Sequence, residues 1–419
     1  VYLTQPSQPA CKGYTYGTHR ICGPSETLNA VHPVLDKLGI TRLADITGLD
    51  RIGIPVCMAV RPNSKSLSVS QGKGVTLDLA KASTIMESIE AYHAENVTAE
   101  ILNTSYRALI SQNKVCNPYE LNLHPRSIFH ENLNVDWIEG WDWIQKEAVY
   151  VPYDLVSVSF LSGTLHLPLF KQSSNGLASG NHVLEAVSHG ICEVVERDAA
   201  LLWQISQDPS GKNARLIDLR TIESFVVQQL LEKLKKAGIK VYLWDQTSDV
   251  GIPSFGCLLV EGPTLRLIQP HGAFGGYGCH LSKEIAVIRA ITEAAQARLT
   301  YIAGARDDIY RSAYINMGAS NQFGKWQGLF AAAFPSVDYT NLPSLETDSF
   351  EGDVQVETSL LREAGFERLI VVDLTQTEIA VPVVRVIIPG AEYFYEKPPA
   401  LFGQRAWARM LADLAGDPT

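Results

Sequence analysis

The chain has 419 residues and a mass of 46.0 kDa, room for one elaborate domain or two ordinary ones. Its 46% hydrophobic and 19% charged residues exclude a disordered chain. A formal net charge of −10 excludes a general nucleic-acid or anionic-membrane surface, though not an anionic substrate held through metal ions. No apolar run approaches the roughly 18 residues of a membrane span, and the N-terminal stretch lacks the basic-then-apolar layout of a signal peptide. Cys11, Cys22, Cys57, Cys116, Cys192, Cys257 and Cys279 are scattered and never spaced C-x-x-C. That usage points to a reducing cytoplasm and inert thiols rather than a zinc site or disulfide framework.

Residues 1–25 read as loop. Pro24 opens a helix running to about Leu38, closed by Gly39. Thr41–Ile46 and Ile54–Val60 read as strands around the turn Gly48–Gly53, and Ser66–Ser70 as a short strand or loop. Gly72-Lys73-Gly74 reads as a turn before a strong helix, Leu77–Asn96. The pattern weakens from Ala99 to Trp143, apart from a helical piece at Ser105–Gln112, and Trp137, Trp141 and Trp143 are expected to pack. Val149–Pro152 and Leu155–Phe160 are expected strands, followed by a small-residue loop, Ser174–Gly180, and a helix through Asp198. Residues 218–237 form an amphipathic helix with a cationic end at Lys233, Lys235 and Lys236. Val241–Trp244, Ser254–Leu259 and Arg266–Gln269 read as strands, Gly272–Gly278 as a flexible loop, and Ser282–Ala303 as a third strong helix. Strands near Leu369–Leu374 and Val383–Ile388 and a helix Gly403–Leu414 complete the chain. No interdomain linker or solenoid repeat is visible, and the mixture predicts one α/β (α+β) domain over 1–419 on mostly antiparallel strands. Within it, 1–60 is an entry segment, 61–310 carries the motifs below, and 311–419 is a C-terminal portion.

Three helices carry polar stripes on otherwise apolar surfaces. The helix after Ser174–Gly180 is apolar almost all round, yet Glu185, His189, Glu193 and Glu196 fall on one line along it. Ser83, Glu87 and Glu90 share a face of the Leu77–Asn96 helix, and Arg289, Glu293, Gln296 and Thr300 a face of the Ser282–Ala303 helix. Glu87/Glu90, Glu193/Glu196 and Glu293/Gln296 are therefore three E-x-x-[E/Q] pairs, each behind a glycine-containing stretch. One such pair is ordinary on a solvated face; three on buried helices ask for a cation, because buried carboxylates are costly unless paired or bound to metal. Carboxylates without Cys or His partners suit Mg2+, which shares its shell with substrate phosphates. Lys73, Arg197, Arg289, Arg298 and Arg306 are placed to meet phosphate oxygens, with the backbone N–H groups of Ser70–Gly74 as an anion nest. His189 stays open between a role behind the site and one in the core, and His93 reads as structural.

The pattern is no P-loop, since Lys73 is followed by Gly74 and Leu67 stands where a glycine is required. His93-Ala94-Glu95 lacks the P-C-x-x-C of a zinc deaminase.

Ser70-Gln-Gly-Lys-Gly74 with Glu87-x-x-Glu90, then Ser174-Asn-Gly176 with Glu193-Val-Val-Glu196-Arg197-Asp198, then Glu293-Ala-Ala-Gln296-Ala-Arg298 with Arg306-Asp-Asp308, resemble the YcaO superfamily, in order and over nearly the whole chain. Gly17–Arg20, Thr47–Pro55 and Gly176–His182 look most like its TfuA-associated branch. The resemblance implies a YcaO-type fold whose helices enclose an acidic Mg-ATP site. It implies that a peptide backbone amide oxygen attacks the γ-phosphate, that a nucleophile then occupies the carbonyl carbon, and that phosphate leaves. Sulfide as nucleophile gives a thioamide; an adjacent Cys, Ser or Thr side chain gives an azoline; an N-terminal amine gives an amidine. Carried over by position, Glu87, Glu90, Glu193 and Glu196 are the metal ligands. Ser70, Lys73, Glu185, Gln296, Arg298 and Arg306 are the nucleotide contacts, Glu293 serves either role, and Lys12 and Arg20 join from the entry segment. No side chain need act as covalent nucleophile.

Azoline-forming members often end in Pro-x-Pro-x-Pro, whereas this sequence ends Leu-Ala-Gly-Asp-Pro-Thr, and no fused leader-binding domain is seen. Both points favour thioamide formation with a sulfide source and a TfuA-like protein, over a cyclodehydratase or macrolactamidine synthase of ribosomal peptide biosynthesis. The expected partners are a peptide or protein substrate and that accessory protein, with a second copy of the chain as a further candidate. A non-catalytic ATP-binding scaffold is the rival of a different class, and a kinase-like or ATP-grasp enzyme is disfavoured by the missing signatures.

Overall fold

The structure is a computed structural model that describes residues 10–159, 169–206, 214–261, 272–312, 314, 334–393 and 402–415. Helix α1 (Pro24–Val31) opens on a proline and a Glu26 capping interaction, and a 3-10 turn carries the chain to Gly39. Strands β1 (Arg42–Asp45), β2 (Val56–Val60) and β3 (Val69–Lys73) form an antiparallel sheet. Helix α2 (Leu77–Glu95), capped by Thr76, lies on it. Strands β4 (Ile101–Ser105), β5 (Asn134–Asp142) and β6 (Glu147–Pro152), with the short α3 (Tyr106–Leu109) between, begin a second sheet that β7 (Leu177–Ser179) joins at its far edge. Helix α4 (Val183–Ile205) follows β7. Helix α5 (Phe225–Lys236) and strands β8 (Ile239–Asp245), β9 (Ser254–Glu261) and β10 (Ala273–Cys279) make a third sheet, covered by α6 (Lys283–Ala303). Helix α7 (Phe350–Glu363), strands β11 (Ile370–Asp373) and β12 (Val383–Ile387), and α8 (Gln404–Ala415) end the described chain. The second sheet runs β4-β5-β11-β12-β7 with β6 on β5, and the named strands pair antiparallel throughout. The expected mixed, mostly antiparallel α+β architecture is what the chain adopts.

Helix α4 is the hub. Its Leu184, Val187, Ile191, Val194 and Val195 are buried against β12, β10 and the apolar face of α7. That answers its all-round apolar pattern, because it has neighbours on every side. A separate core joins α5 and α6 to β8 and β9, and a third lies between α2 and the second sheet.

The glycine-containing stretches differ most from expectation. Gly72 lies inside β3, Gly180 directly follows β7, and Gly276 and Gly278 lie inside β10. These four are in strands or at a strand end, laid against helices, while Asn175–Gly176 makes the expected turn with Gly176 at φ 76°. A Cβ on Gly72 would sit 2.1 Å from Thr84 N of α2. On Gly276 it would meet Ala294 N of α6 at 2.2 Å, on Gly278 Ala286 O at 2.0 Å, and on Gly180 Ala186 N of α4 at 2.8 Å. Glycine is there because strand backbone touches helix backbone. Leu155–Ser159 also departs from expectation: a 3-10 turn at Tyr153–Leu155 leads into irregular chain whose Val158 N–H donates to Ala94 O at 3.2 Å. The expected strand Arg266–Gln269 lies outside the described residues. Among the described residues no helix is long and apolar enough to cross a membrane. The cysteines are free thiols, and burial pushes Cys57 up to about 11 and Cys116 up to about 12, leaving both inert.

Replacing Gly276 by Ala is expected to lower stability by about 2 kcal/mol or more, since neither contacting backbone can retreat. Urea unfolding measures this; a loss indistinguishable from zero would show that β10 and α6 are not in contact.

Candidate active site

The three strand–helix units face one another, and their acidic stripes meet. Each strand end also donates to the glutamate of another unit's helix. Lys73 Nζ, at the end of β3, reaches Glu293 Oε2 on α6 at 2.8 Å. Ser179 of β7 donates its N–H at 2.8 Å and its hydroxyl at 2.7 Å to Glu90 Oε1 on α2. Cys279 N–H, closing β10, donates to Glu196 Oε2 on α4 at 3.0 Å. The donation is therefore cyclic: β3 to α6, β10 to α4, β7 to α2. Gln296 Nε2 adds a bond to Gln71 O at 3.1 Å, and Tyr277 N–H one to Glu293 Oε1 at 3.3 Å.

The electrostatics are those of crowded acids awaiting a counter-charge. Burial raises Glu90 to about 8, against the lowering hydrogen bonds from Ser179, and Glu87 and Glu193 repel it further. Burial also raises Glu196 to about 7, reinforced by Glu293. Glu87 rises to about 7 for the same first reason, opposed by Lys73 and Arg306. Its side chain keeps solvent contact although protein surrounds it, as on the wall of a cleft. Glu193 is raised by burial against Arg197 and Arg289. Glu293 goes the other way: burial would raise it, but Lys73, Arg197 and Arg289 together hold it down at about 2.

A patch of imidazoles and cations borders the acids. Arg289 Nη1 lies 3.0 Å from His189 Nδ1, and because a guanidinium can only donate, His189 is neutral with its proton on Nε2. Burial lowers it well below its usual value, and Arg289 adds to that. His19 and His280 stand edge to face with ring centres 5.1 Å apart, and burial lowers both. His189 is thus neither isolated core nor free ligand; it braces Arg289.

The expected site residues separate into two groups. Glu90, Glu196, Glu293, Gln296 and Lys73 are linked by the contacts above, Glu87 and Glu193 act on them through charge, and Ser70 is buried on β3. Arg306 pairs with Asp308 at 2.8 Å, and its charge is felt at Glu87. Arg298 turns away. Five residues past Glu293 it lies about 140° round the helix, 2% exposed, tied to Asp50 Oδ2 at 3.2 Å and Glu261 Oε1 at 2.9 Å. Glu185 is 2% exposed and accepts the Ile21 N–H at 2.9 Å, with Arg20 Nε 3.6 Å away, so it fastens the entry segment to α4. Lys12 is held by Asp353 and the Thr347 carbonyl, both at 2.6 Å. Arg298, Glu185 and Lys12, expected at the nucleotide, are thus each engaged by protein groups. The sequence does not single out Ser179, the Gln71 side chain or the backbone N–H groups of Tyr277 and Cys279; for the last two no side-chain signal exists.

Among the described residues no three acidic, imidazole or thiol side chains converge as a ready-made metal centre. Mg2+ usually keeps waters and substrate oxygens in its shell rather than filling an all-protein cage, so the donor set fits it. Gln296 Oε1, Gln71 Nε2 and Arg289 Nε are buried without partners among the described residues, polar atoms that a bound nucleotide can satisfy. Glu87, Glu90, Glu193 and Glu196 would hold the metal, which would neutralise phosphate charge.

A pH dependence follows. A carboxyl raised in the folded state favours folding below its unfolded value near 4.5, and that advantage is lost as pH rises through about 7 for Glu87 and Glu196 and about 8 for Glu90. The lowered histidines act oppositely, but their contribution is complete above 6.5. Between about pH 7 and 8.5 the metal-free protein should therefore lose melting temperature. Mg2+ with nucleotide should flatten that fall, and Glu90→Gln should raise Tm at pH 8.5 more than at pH 7. A Tm that rises over this window without metal contradicts the account.

The family description of the YcaO cyclodehydratases, ATP- and Mg2+-binding, matches residues 71–392. An uncharacterised protein of Methanothermobacter thermautotrophicus is 36% identical over 378 residues, covering 90% of this chain and 95% of its own. Another, encoded in the tfuA 3' region of Rhizobium leguminosarum bv. trifolii, is 36% identical over 389 residues, 89% of this chain and 88% of its own. Among solved structures, the YcaO of Methanopyrus kandleri bound with AMPPCP and Mg2+ superposes with TM-score 0.74 at 24% identity, covering 93% of this chain and 100% of that one. A heterocyclase in complex with substrate and cofactor superposes with TM-score 0.76 at 21% identity over 94% of this chain, which spans 55% of the heterocyclase's length. The two structural likenesses carry the fold, and the sequence matches carry the family: the chain belongs to the ATP- and Mg2+-binding YcaO family.

Proposed function

We propose that this protein activates a peptide or protein backbone amide by ATP-dependent O-phosphorylation and replaces the amide oxygen by sulfur, giving a thioamide. The observation that carries the activation step is the convergence of glutamates from α2, α4 and α6 beside Lys73, Arg197 and Arg289. Arg197 is charged at any working pH: burial opposes the charge, but Glu196, Glu293 and Glu193 hold it well above the usual range. Acids for metal next to fixed cations suit phosphoryl transfer, where positioning and charge neutralisation supply most of the catalysis. The amide oxygen attacks the γ-phosphorus and ADP leaves. Sulfide adds at the former carbonyl carbon, and phosphate departs with the original oxygen. Arg197, Arg289 and Lys73 would hold the phosphoryl oxygens, and no covalent enzyme nucleophile is needed.

The choice of sulfide is supported by a relative encoded in a tfuA 3' region, which makes a TfuA-like protein the natural accessory for delivery. Ring formation is the second reading, favoured by the cyclodehydratase description of the family and by the fold shared with a heterocyclase. An intact set of acids argues against a scaffold without turnover.

Incubation of the protein with ATP, Mg2+, sulfide, the TfuA-like protein and a candidate peptide tests this by peptide mass. A gain of about 16 Da is expected for exchange of O for S; a loss of about 18 Da would assign cyclodehydration instead. Glu193→Gln should lower ATP turnover at least about 100-fold without unfolding the chain. Full turnover in that variant would remove the acid cluster from the mechanism.

A further inference from the structure

Strand β12 carries a buried charge outside the acidic cluster. Arg385 is 3% exposed, and its Nη2 donates to Ser173 O at 2.6 Å. Nε and Nη1, with three N–H groups between them, have no partner among the described residues. Burial lowers its pKa to about 10, with Tyr393 and Glu193 the nearby charges that oppose the fall. A guanidinium taken from water and left with open donors is a standing cost to the fold, which an occupant would relieve.

The cavity beside it supplies the room. Its volume is about 40 Å³, and Lys171, Ser173, Asn175, Asn122 and Tyr393 line it with Arg385; Glu120 lines it too, its exposed carboxylate taken by Asn117 Nδ2 at 2.8 Å. Lys171 Nζ stands 4.2 Å from the centre of the Tyr393 ring, which keeps a second cation at the wall. Asn175 Oδ1 is also buried without a partner among the described residues, and its amide can turn to offer either N–H or oxygen. Leu121, Leu155 and Ile388 also line it and give part of its wall an apolar character. That volume holds about three water-sized groups, the size of a carboxylate head. Val194, next to Glu193, lines the same cavity, so an occupant would lie alongside the acid cluster without belonging to it.

We propose that this cavity is a carboxylate-binding subsite, taking a carboxylate on a short aliphatic stem through Arg385 and Lys171. Its source is either an acidic side chain or chain end of a peptide, or a free small acid. The assignment is independent of ATP turnover.

Scanning calorimetry of the full chain in sodium propionate, sodium phosphate and sodium chloride at matched ionic strength tests it. Wild type should gain Tm saturably with propionate, and less with phosphate or chloride. Arg385→Met should melt at least as high as wild type in chloride and lose the propionate response. Equal responses to propionate and chloride, a larger one to phosphate, or a propionate response retained in Arg385→Met would each overturn the proposal. If that variant does not fold, calorimetric titration of wild type with propionate decides, and absence of saturable heat overturns the subsite. Competition then separates the sources. Displacement of propionate by a glutamate-containing peptide, but not its glutamine counterpart, assigns a peptide; retention assigns a free acid, and either supports the subsite.

Discussion

Backbone-to-backbone contact between a strand and the helix beside it is the constraint on which the site depends. Gly72 against α2, Gly180 against α4, and Gly276 and Gly278 against α6 leave no room for a side chain. With helix and strand that close, the strand's last polar groups come within hydrogen-bond distance of carboxylates on another unit. Lys73, Ser179 and Cys279 each use that reach on a different helix. The units lock one another, so the position of any one glutamate depends on all three. The glutamates recur about every 100 residues at Glu87, Glu193 and Glu293, which is how one chain assembles a site from three similar parts.

The lock has an electrostatic cost. Bringing Glu87, Glu90, Glu193 and Glu196 together inside protein raises all four, and Arg197, Arg289 and Lys73 offset the repulsion incompletely. Structural design alone would have removed the acids, since a fold gains more from packed apolar groups than from unmatched charge. Acids held together at that cost suit a cationic partner. Glu293 is the exception that shows the logic: with Lys73 at 2.8 Å it is fully ionised and needs no metal to be so.

Much of this was legible in the sequence. Helices α2, α4 and α6 begin and end within about two residues of their periodic patterns, apart from α4, which runs on past Asp198 to Ile205. Their stripes face each other. Gly176 is the turn glycine its loop requires, at φ 76°, whereas Gly72, Gly276 and Gly278 lie in strands, because a glycine run looks alike whether it allows flexibility or removes a Cβ from a contact. Arg298, expected beside Gln296 at the nucleotide, meets Asp50 and Glu261 instead of the acidic stripe, since two residues on is about 200° round a helix. Strand β5 is hard to read from sequence although its Val135, Trp137 and Ile138 are buried, since Glu139 and Gly140 break the alternation that Val135-Asp136-Trp137 begins. Helix α7 was missed although Phe350, Val354 and Leu361 line its buried face, because Glu357 sits among them. Backbone donors such as Cys279 N–H have no sequence signature.

Proton release on formation of the Mg-ATP complex is the most direct measure of the central claim that the three helices share one cation-demanding acid cluster. Calorimetry at pH 7 in buffers of different ionisation enthalpy reports it. With Glu87 and Glu196 near half-protonated and Glu90 mostly protonated before binding, release of about one proton or more per complex is expected. Binding with no proton release, or with uptake, would contradict the account.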